Sequence, residues 1–162
     1  MQLIEKERQA LTNLKEQEML SIDKYQRYAQ QAHDPQLQGL FNNIIEHEQH
    51  HLNSIKQVLD GGDIPQVDCN DTQGRDYNPT ATYTQEEMTQ NKIDDSYLAT
   101  DSIASEKLIS GEYNDDVFVF GNTDVRRLFA DIQVEEQNHA EMLYKYKVTN
   151  GMVGELMDGM MH

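Results

Sequence analysis

Leu40-Phe41-Asn42-Asn43-Ile44-Ile45-Glu46-His47-Glu48-Gln49-His50-His51 and, eighty-eight positions later, Leu128-Phe129-Ala130-Asp131-Ile132-Gln133-Val134-Glu135-Glu136-Gln137-Asn138-His139 are the stretches whose reading decides the fold of this chain. Each carries apolar residues at helical spacing, Leu-Phe then Ile, and each ends in Glu-x-x-His on the same face. The offset extends upstream, where Glu18 meets Glu106 and Tyr25 meets Tyr113. In both halves a lone glutamate precedes the Glu-x-x-His pair by thirty residues. One helical hairpin is therefore written twice.

Working outward, Leu11, Leu14, Glu18, Ile22, Tyr25 and Ala29 share one face of a first helix. His33, Asp34 and Pro35 interrupt it, and Pro35 suits the opening turn of a second helix. That helix presents Leu37, Leu40, Phe41, Ile44, Glu48, His51, Leu52, Ile55 and Leu59 until Gly61 and Gly62 stop it. Residues from about 61 to 84 are polar, punctuated by Pro65, Gly74 and Pro79, and without sustained periodicity, which predicts a crossover loop. Thr84 and Glu87 form a candidate capping box for a third helix facing inward through Ile93, Ala99, Ile103, Glu106, Tyr113 and Val117. After Gly121 and Asn122 a fourth helix offers Val125, Leu128, Phe129, Ile132, Glu136, His139 and Leu143, fading near Asn150 and Gly151. Short links make the helices of each hairpin antiparallel, and the long link lets the chain travel the length of a bundle between hairpins. The expected domain is an all-α four-helix bundle over residues 1–150, with a Met-rich tail over 151–162.

Four glutamates on apolar stripes are expensive, because burying a carboxylate without compensation costs several kcal/mol or forces it to take up a proton. Two divalent cations supply four positive charges against Glu18, Glu48, Glu106 and Glu136 and leave the imidazoles of His51 and His139 as neutral donors. Glu-x-x-His places its two side chains on one helical face, able to grip one ion together. These six are the candidate ligands of a two-metal site, with two iron or two manganese ions fitting the same donor set. The competing reading rotates the helices so that the acids face water, at the cost of exposing Ile44, Ile132 and Leu52. Tyr25 and Tyr113, two turns beyond the lone glutamates, are either hydrogen-bond donors to bound carboxylates or tyrosines at the core edge. His47 has Glu135 as its counterpart, which argues for a surface role over a symmetric ligand role; Glu46 points to the solvated face, and Asp131 has no indicated contact.

Two hairpins, one crossover and this motif set resemble the rubrerythrin and ferritin-like superfamily of di-iron carboxylate proteins across nearly the whole chain. The resemblance implies a ferritin-like four-helix bundle and carries the same six residues over as ligands. Within it, Ser105-Glu106-Lys107-Leu108, Tyr113-Asn114, Asn122, Leu128 and Glu135-Glu136-Gln137-Asn138-His139 look like the spore-coat protein F-like family. A cysteine-ligated rubredoxin module, usual in rubrerythrins, has no counterpart here. The expected functions are a di-metal oxidoreductase acting on dioxygen or hydrogen peroxide, including a manganese catalase-like enzyme; a non-catalytic coat-type protein; or an iron store and ferroxidase.

The remaining totals set boundaries. A formal charge of −16 repels phosphate backbones and anionic lipid, so nucleic acid and membrane are not expected partners, whereas metal ions are. Cys69 is the single cysteine, so neither an internal disulfide nor a thiolate cluster is available. Seven charged residues, Glu5, Lys6, Glu7, Arg8, Lys15, Glu16 and Glu18, interrupt the first twenty positions where a signal peptide would be apolar, and a cytoplasmic location is expected, with the spore coat as alternative. Exposed apolar faces on such bundles predict a homodimer. Met152, Met157, Met160, Met161 and His162 suggest a flexible or contact-forming tail rather than a soft-metal site.

Overall fold

The computed structural model describes residues 2–66, 68 and 71–153. Among them the chain forms helices α1 (Glu5–Gln31), α2 (Pro35–Leu59), α3 (Gln73–Asp76), α4 (Gln90–Val117) and α5 (Thr123–Thr149), and no strand. α1 packs against α2 and α4 against α5, with α2–α5 and α1–α4 contacts joining the hairpins. This is a ferritin-like helical bundle. The four long helices, at 1.5 Å per residue, run for about 40 Å.

Local chemistry sets the helix ends. Asp34 accepts a bond from the Gln36 amide just ahead of Pro35, and Asn122 accepts from the amides of Asp124 and Val125. Beyond α2, Gly61 takes φ of 81°, a left-handed conformation that a Cβ would strain. Thr84 and Glu87 do exchange reciprocal bonds (Thr84 N to Glu87 Oε1, 2.7 Å; Glu87 N to Thr84 Oγ1, 3.2 Å), yet they close a turn ahead of the helix. Thr89 is the residue that caps α4, so the crossover runs five residues beyond its expected limit.

The crossover also contains α3, which was not expected from periodicity, because a single turn has no repeat to detect. It is held from outside itself. The Gly74 amide donates to Asn138 Oδ1 at 2.8 Å, and Lys145 Nζ donates to the carbonyls of Gly74 and Arg75. A Cβ at Gly74 would lie 3.0 Å from Glu141 Cβ and closer still to the Glu141 and Asn138 side-chain oxygens, so only glycine lets the turn approach α5 this closely.

Two apolar clusters fill the bundle, one on each side of a polar middle. One centres on Leu11, Leu14, Ile55, Tyr113, Phe129 and Ile132, the other on Tyr25, Leu37, Phe41, Ile44, Ala99 and Leu143. The eighty-eight-residue offset exchanges them: Phe41 becomes Phe129, Ile44 becomes Ile132, Tyr25 becomes Tyr113 and Ile55 becomes Leu143. The sequence repeat is thus an approximate twofold relation of the packed core.

One expected inward residue is misplaced. Ile93 is exposed, and its neighbours Lys92 and Asp95 are buried instead. Their polar groups find partners there. Lys92 Nζ donates to the carbonyls of Thr84 and Gln85, while the Asp95 carboxylate accepts from the amides of His33 and Asp34 and from the Tyr83 hydroxyl. These bonds tie the end of the crossover and the α1–α2 turn to the first turns of α4, so wiring rather than apolar burial sets the rotation of that end. Val117 is only partly buried at the core edge. Of the Met-rich tail, Met152 packs against the second cluster; Met157, Met160, Met161 and His162, like Cys69, lie outside the described residues.

Candidate metal centre

Between the two apolar clusters, α1 contributes Glu18, α2 Glu48 and His51, α4 Glu106, and α5 Glu136 and His139. All six are at most 2 % exposed. They fall into two overlapping sets, Glu18–Glu48–His51–Glu136 and Glu48–Glu106–Glu136–His139, in each of which one donor atom per residue lies within 4.8 Å of the others. Glu48 and Glu136 belong to both sets, and each divides its oxygens between them. Glu48 turns Oε2 to His51 Nδ1 (3.6 Å) and Oε1 to His139 Nδ1 (3.3 Å); Glu136 turns Oε1 to His51 Nδ1 (3.3 Å) and Oε2 to His139 Nδ1 (3.8 Å). Glu48 and Glu136 would therefore serve both sets if these held cations.

The outer sides of the same residues are fixed. Tyr25 donates to Glu106 Oε1 and Tyr113 to Glu18 Oε1, each phenol reaching into the opposite hairpin. Both tyrosines are therefore core residues and hydrogen-bond donors at once. His51 Nε2 meets Glu135 Oε2 at 2.5 Å, and His139 Nε2 meets His47 Nδ1 at 2.9 Å, with the two rings stacked. His47, expected at the surface, is half-buried against His139 because α2 and α5 face one another at this level. Glu46 is exposed, as its helical position requires.

The inner atoms are a different matter. Glu18 Oε2, both oxygens of Glu48 and of Glu136, Glu106 Oε2, and Nδ1 of both histidines are buried without a hydrogen-bond partner. An orphaned buried polar atom costs about 1–3 kcal/mol, and more when charged, so this set costs on the order of ten kcal/mol. That rivals the whole stability of an ordinary domain. Cations would satisfy every one of these atoms, and the donor set of carboxylate oxygens and imidazole nitrogens suits iron or its neighbours.

Electrostatics point the same way. Burial, then repulsion by Glu48, lifts Glu18 well above the usual carboxylate range; burial, then repulsion by Glu136, does the same to Glu106. For Glu48 burial pushes upward too, but the nearby His139 and His51 imidazoles, 3.3 and 3.6 Å from its oxygens, outweigh it and hold the group low. Burial likewise disfavours charge on the histidines, yet the Glu135 bond raises His51 and the Glu106 charge raises His139. Protons and metal ions thus compete for one strongly cation-seeking layer. Beside it, burial and then the Glu135 charge push Asp131 up to about 6.

A cleft of about 440 Å³ between α4 and α5 lies over this layer, with Ile103, Glu106 and Glu136 as its buried floor. The sequence had singled out neither this cleft nor the pairing of Glu135 with His51. The one available signal was that His47 and Glu135 are mutual counterparts, each four residues before a histidine of Glu-x-x-His.

A four-helix scaffold with two carboxylate-histidine sets sharing two glutamates defines the class of carboxylate-bridged metal proteins, and the arrangement fits a di-iron member of it. The family model for rubrerythrin matches residues 9–147, and the chain belongs to that family. No curated protein and no solved structure matches it. No helix among the described residues is long and apolar enough to cross a membrane.

Proposed function

We propose that Glu18, Glu48, His51, Glu106, Glu136 and His139 hold two iron ions and that the protein is a di-iron oxidoreductase acting on dioxygen or hydrogen peroxide. The observation that carries this reading is the division of the Glu48 and Glu136 oxygens between His51 and His139, with the inner atoms of all six residues left unpaired. Bound iron would supply reversible single-electron steps at an oxygen species.

The chain's own residues do the remainder. Glu48 and Glu136 keep the two positions together, and Glu18 and Glu106 close one end each, oriented by Tyr113 and Tyr25. His51 and His139 present Nδ1 inward while their Nε2 atoms are engaged outside, which fixes ring orientation. The apolar clusters on both sides keep bulk water from the layer and strengthen every charge interaction within it. Manganese accepts the same donors, and metal content decides between them.

Metal analysis of the purified chain beside the Glu48→Ala, Glu136→Ala double variant tests the proposal. The expected result is two iron ions per native chain and none in the variant, followed by peroxide or dioxygen consumption that only the native protein shows. No stoichiometric metal after anaerobic reconstitution would sink the metal reading. Two ions without turnover would leave a metal-stapled structural protein.

A further inference from the structure

We infer that the two halves of the centre are unequal, the Glu106–His139 half exchanging its ion with the outside and the Glu18–His51 half retaining its own. The inference rests on the two-metal reading above and deepens it. Two independent observations carry it.

The first is access. The cleft between α4 and α5 is walled by Lys107, Ser110, Ala140 and Glu141 and reaches Glu106 and Glu136. Of the ligands that belong to one half alone, Glu106 lines it and Glu18, His51 and His139 do not; Glu136 is common to both halves. The repeat explains the difference in bulk, because Ser110 corresponds to Ile22, Ala140 to Leu52 and Lys107 to Met19. Where the second hairpin has a hydroxymethyl and a methyl beside its centre, the first has two branched four-carbon side chains, Leu52 among the buried core residues. A small molecule or a chelator therefore meets the Glu106–His139 half first.

The second is what stands behind each imidazole. Behind His51 is a carboxylate, Glu135, and behind His139 a second imidazole, His47. With Nδ1 turned to an ion, each histidine carries its proton on Nε2. His51 then donates to an anion, which makes its inner nitrogen the stronger donor, while His139 donates to neutral His47 and gains less. Glu135 also adds a negative charge to the closed half. Outer partners of this type alter metal affinity by about 10–100-fold. Access and donor strength thus act in the same direction.

The full chain loaded with cobalt(II), whose visible absorption reports its coordination, and then chased with excess EDTA provides the test. Two phases of equal amplitude are expected, separated by on the order of ten-fold or more in rate. Ala140→Leu, which restores the bulk of the first hairpin, should slow the fast phase alone. Glu135→Gln should speed the slow phase alone by on the order of ten-fold. Should Ala140→Leu fail to fold, Ser110→Ile narrows the same cleft from its other wall. A single phase for both ions, or a folded cleft variant whose rates match the native ones, would overturn the inference while leaving the two-metal reading standing. Failure of the native chain to take up two cobalt ions would overturn that reading, and this inference with it.

Discussion

The first hairpin and the second share their ligands, their tyrosines and their Leu-Phe-Ile core, yet they differ at the positions that surround those residues. His47 faces Glu135 across the repeat, Ile22 faces Ser110, Leu52 faces Ala140, and Leu59 faces Lys147. What is alike builds the layer; what is unlike decides how it communicates with solvent. If each half holds an ion, as proposed, both need an equivalent glutamate-histidine pair, while the residues around those pairs are free to differ.

The comparison is broken most forcefully in the cores. Phe41→Ala and Phe129→Ala remove equivalent buried rings, and each should cost about 3–5 kcal/mol in urea unfolding. Phe129 makes edge-to-face contacts with both Tyr113 and Phe120, whereas Phe41 meets Tyr25 and Tyr28 at tilted angles, so the Phe129 variant should suffer slightly more. A large difference in the other direction would mean that the two clusters do not share the load as the repeat implies.

Tyr25→Phe and Tyr113→Phe come next. Each takes one donor from a buried terminal glutamate, at about 1–3 kcal/mol in the metal-free protein, and the two losses should match because the bonds are related by the repeat. Denaturant midpoints of the two variants, measured side by side, check the equality. Unequal losses would place an asymmetry inside the layer rather than around it.

The smallest effect sharpens the comparison at one end of the bundle. Lys147 is buried where the first hairpin has Leu59, and its ammonium donates to the Thr100 hydroxyl. Burial lowers its pKa from 10.5 to about 8. Between those values the unfolded chain binds the extra proton and the folded chain does not, so this group makes stability rise with pH across that window. Below it, the folded protein carries the full cost of a buried charge. Lys147→Leu should therefore stabilise the protein at pH 7 and gain progressively less toward pH 10, as unfolding midpoints at the two pH values will show. A gain independent of pH would assign the effect to packing instead.

Much of the architecture is legible in the chain because helical periodicity and a long repeat are local signals. Leu40, Phe41, Ile44 and Glu48 announce a face, and Leu128, Phe129, Ile132 and Glu136 announce it again. Signals fail where polar groups are satisfied by distant partners. Ile93 looks like a core residue until Lys92 and Asp95 are seen to be bonded to the crossover and the α1–α2 turn. α3 is invisible in sequence because its reason for existing is Asn138 and Lys145 on another helix.

By itself the sequence determined four amphipathic helices, their pairing into two hairpins, and the six acidic and imidazole side chains interrupting the apolar faces, since spacing within one helix fixes which residues share a side. The tertiary structure alone decided that Tyr25 serves Glu106 and Tyr113 serves Glu18, that His47 stands behind His139 and Glu135 behind His51, and that a cleft between α4 and α5 lies against Glu106 and Glu136. Those are contacts between helices, set by their rotation and separation, and periodicity along a single helix carries no information about either.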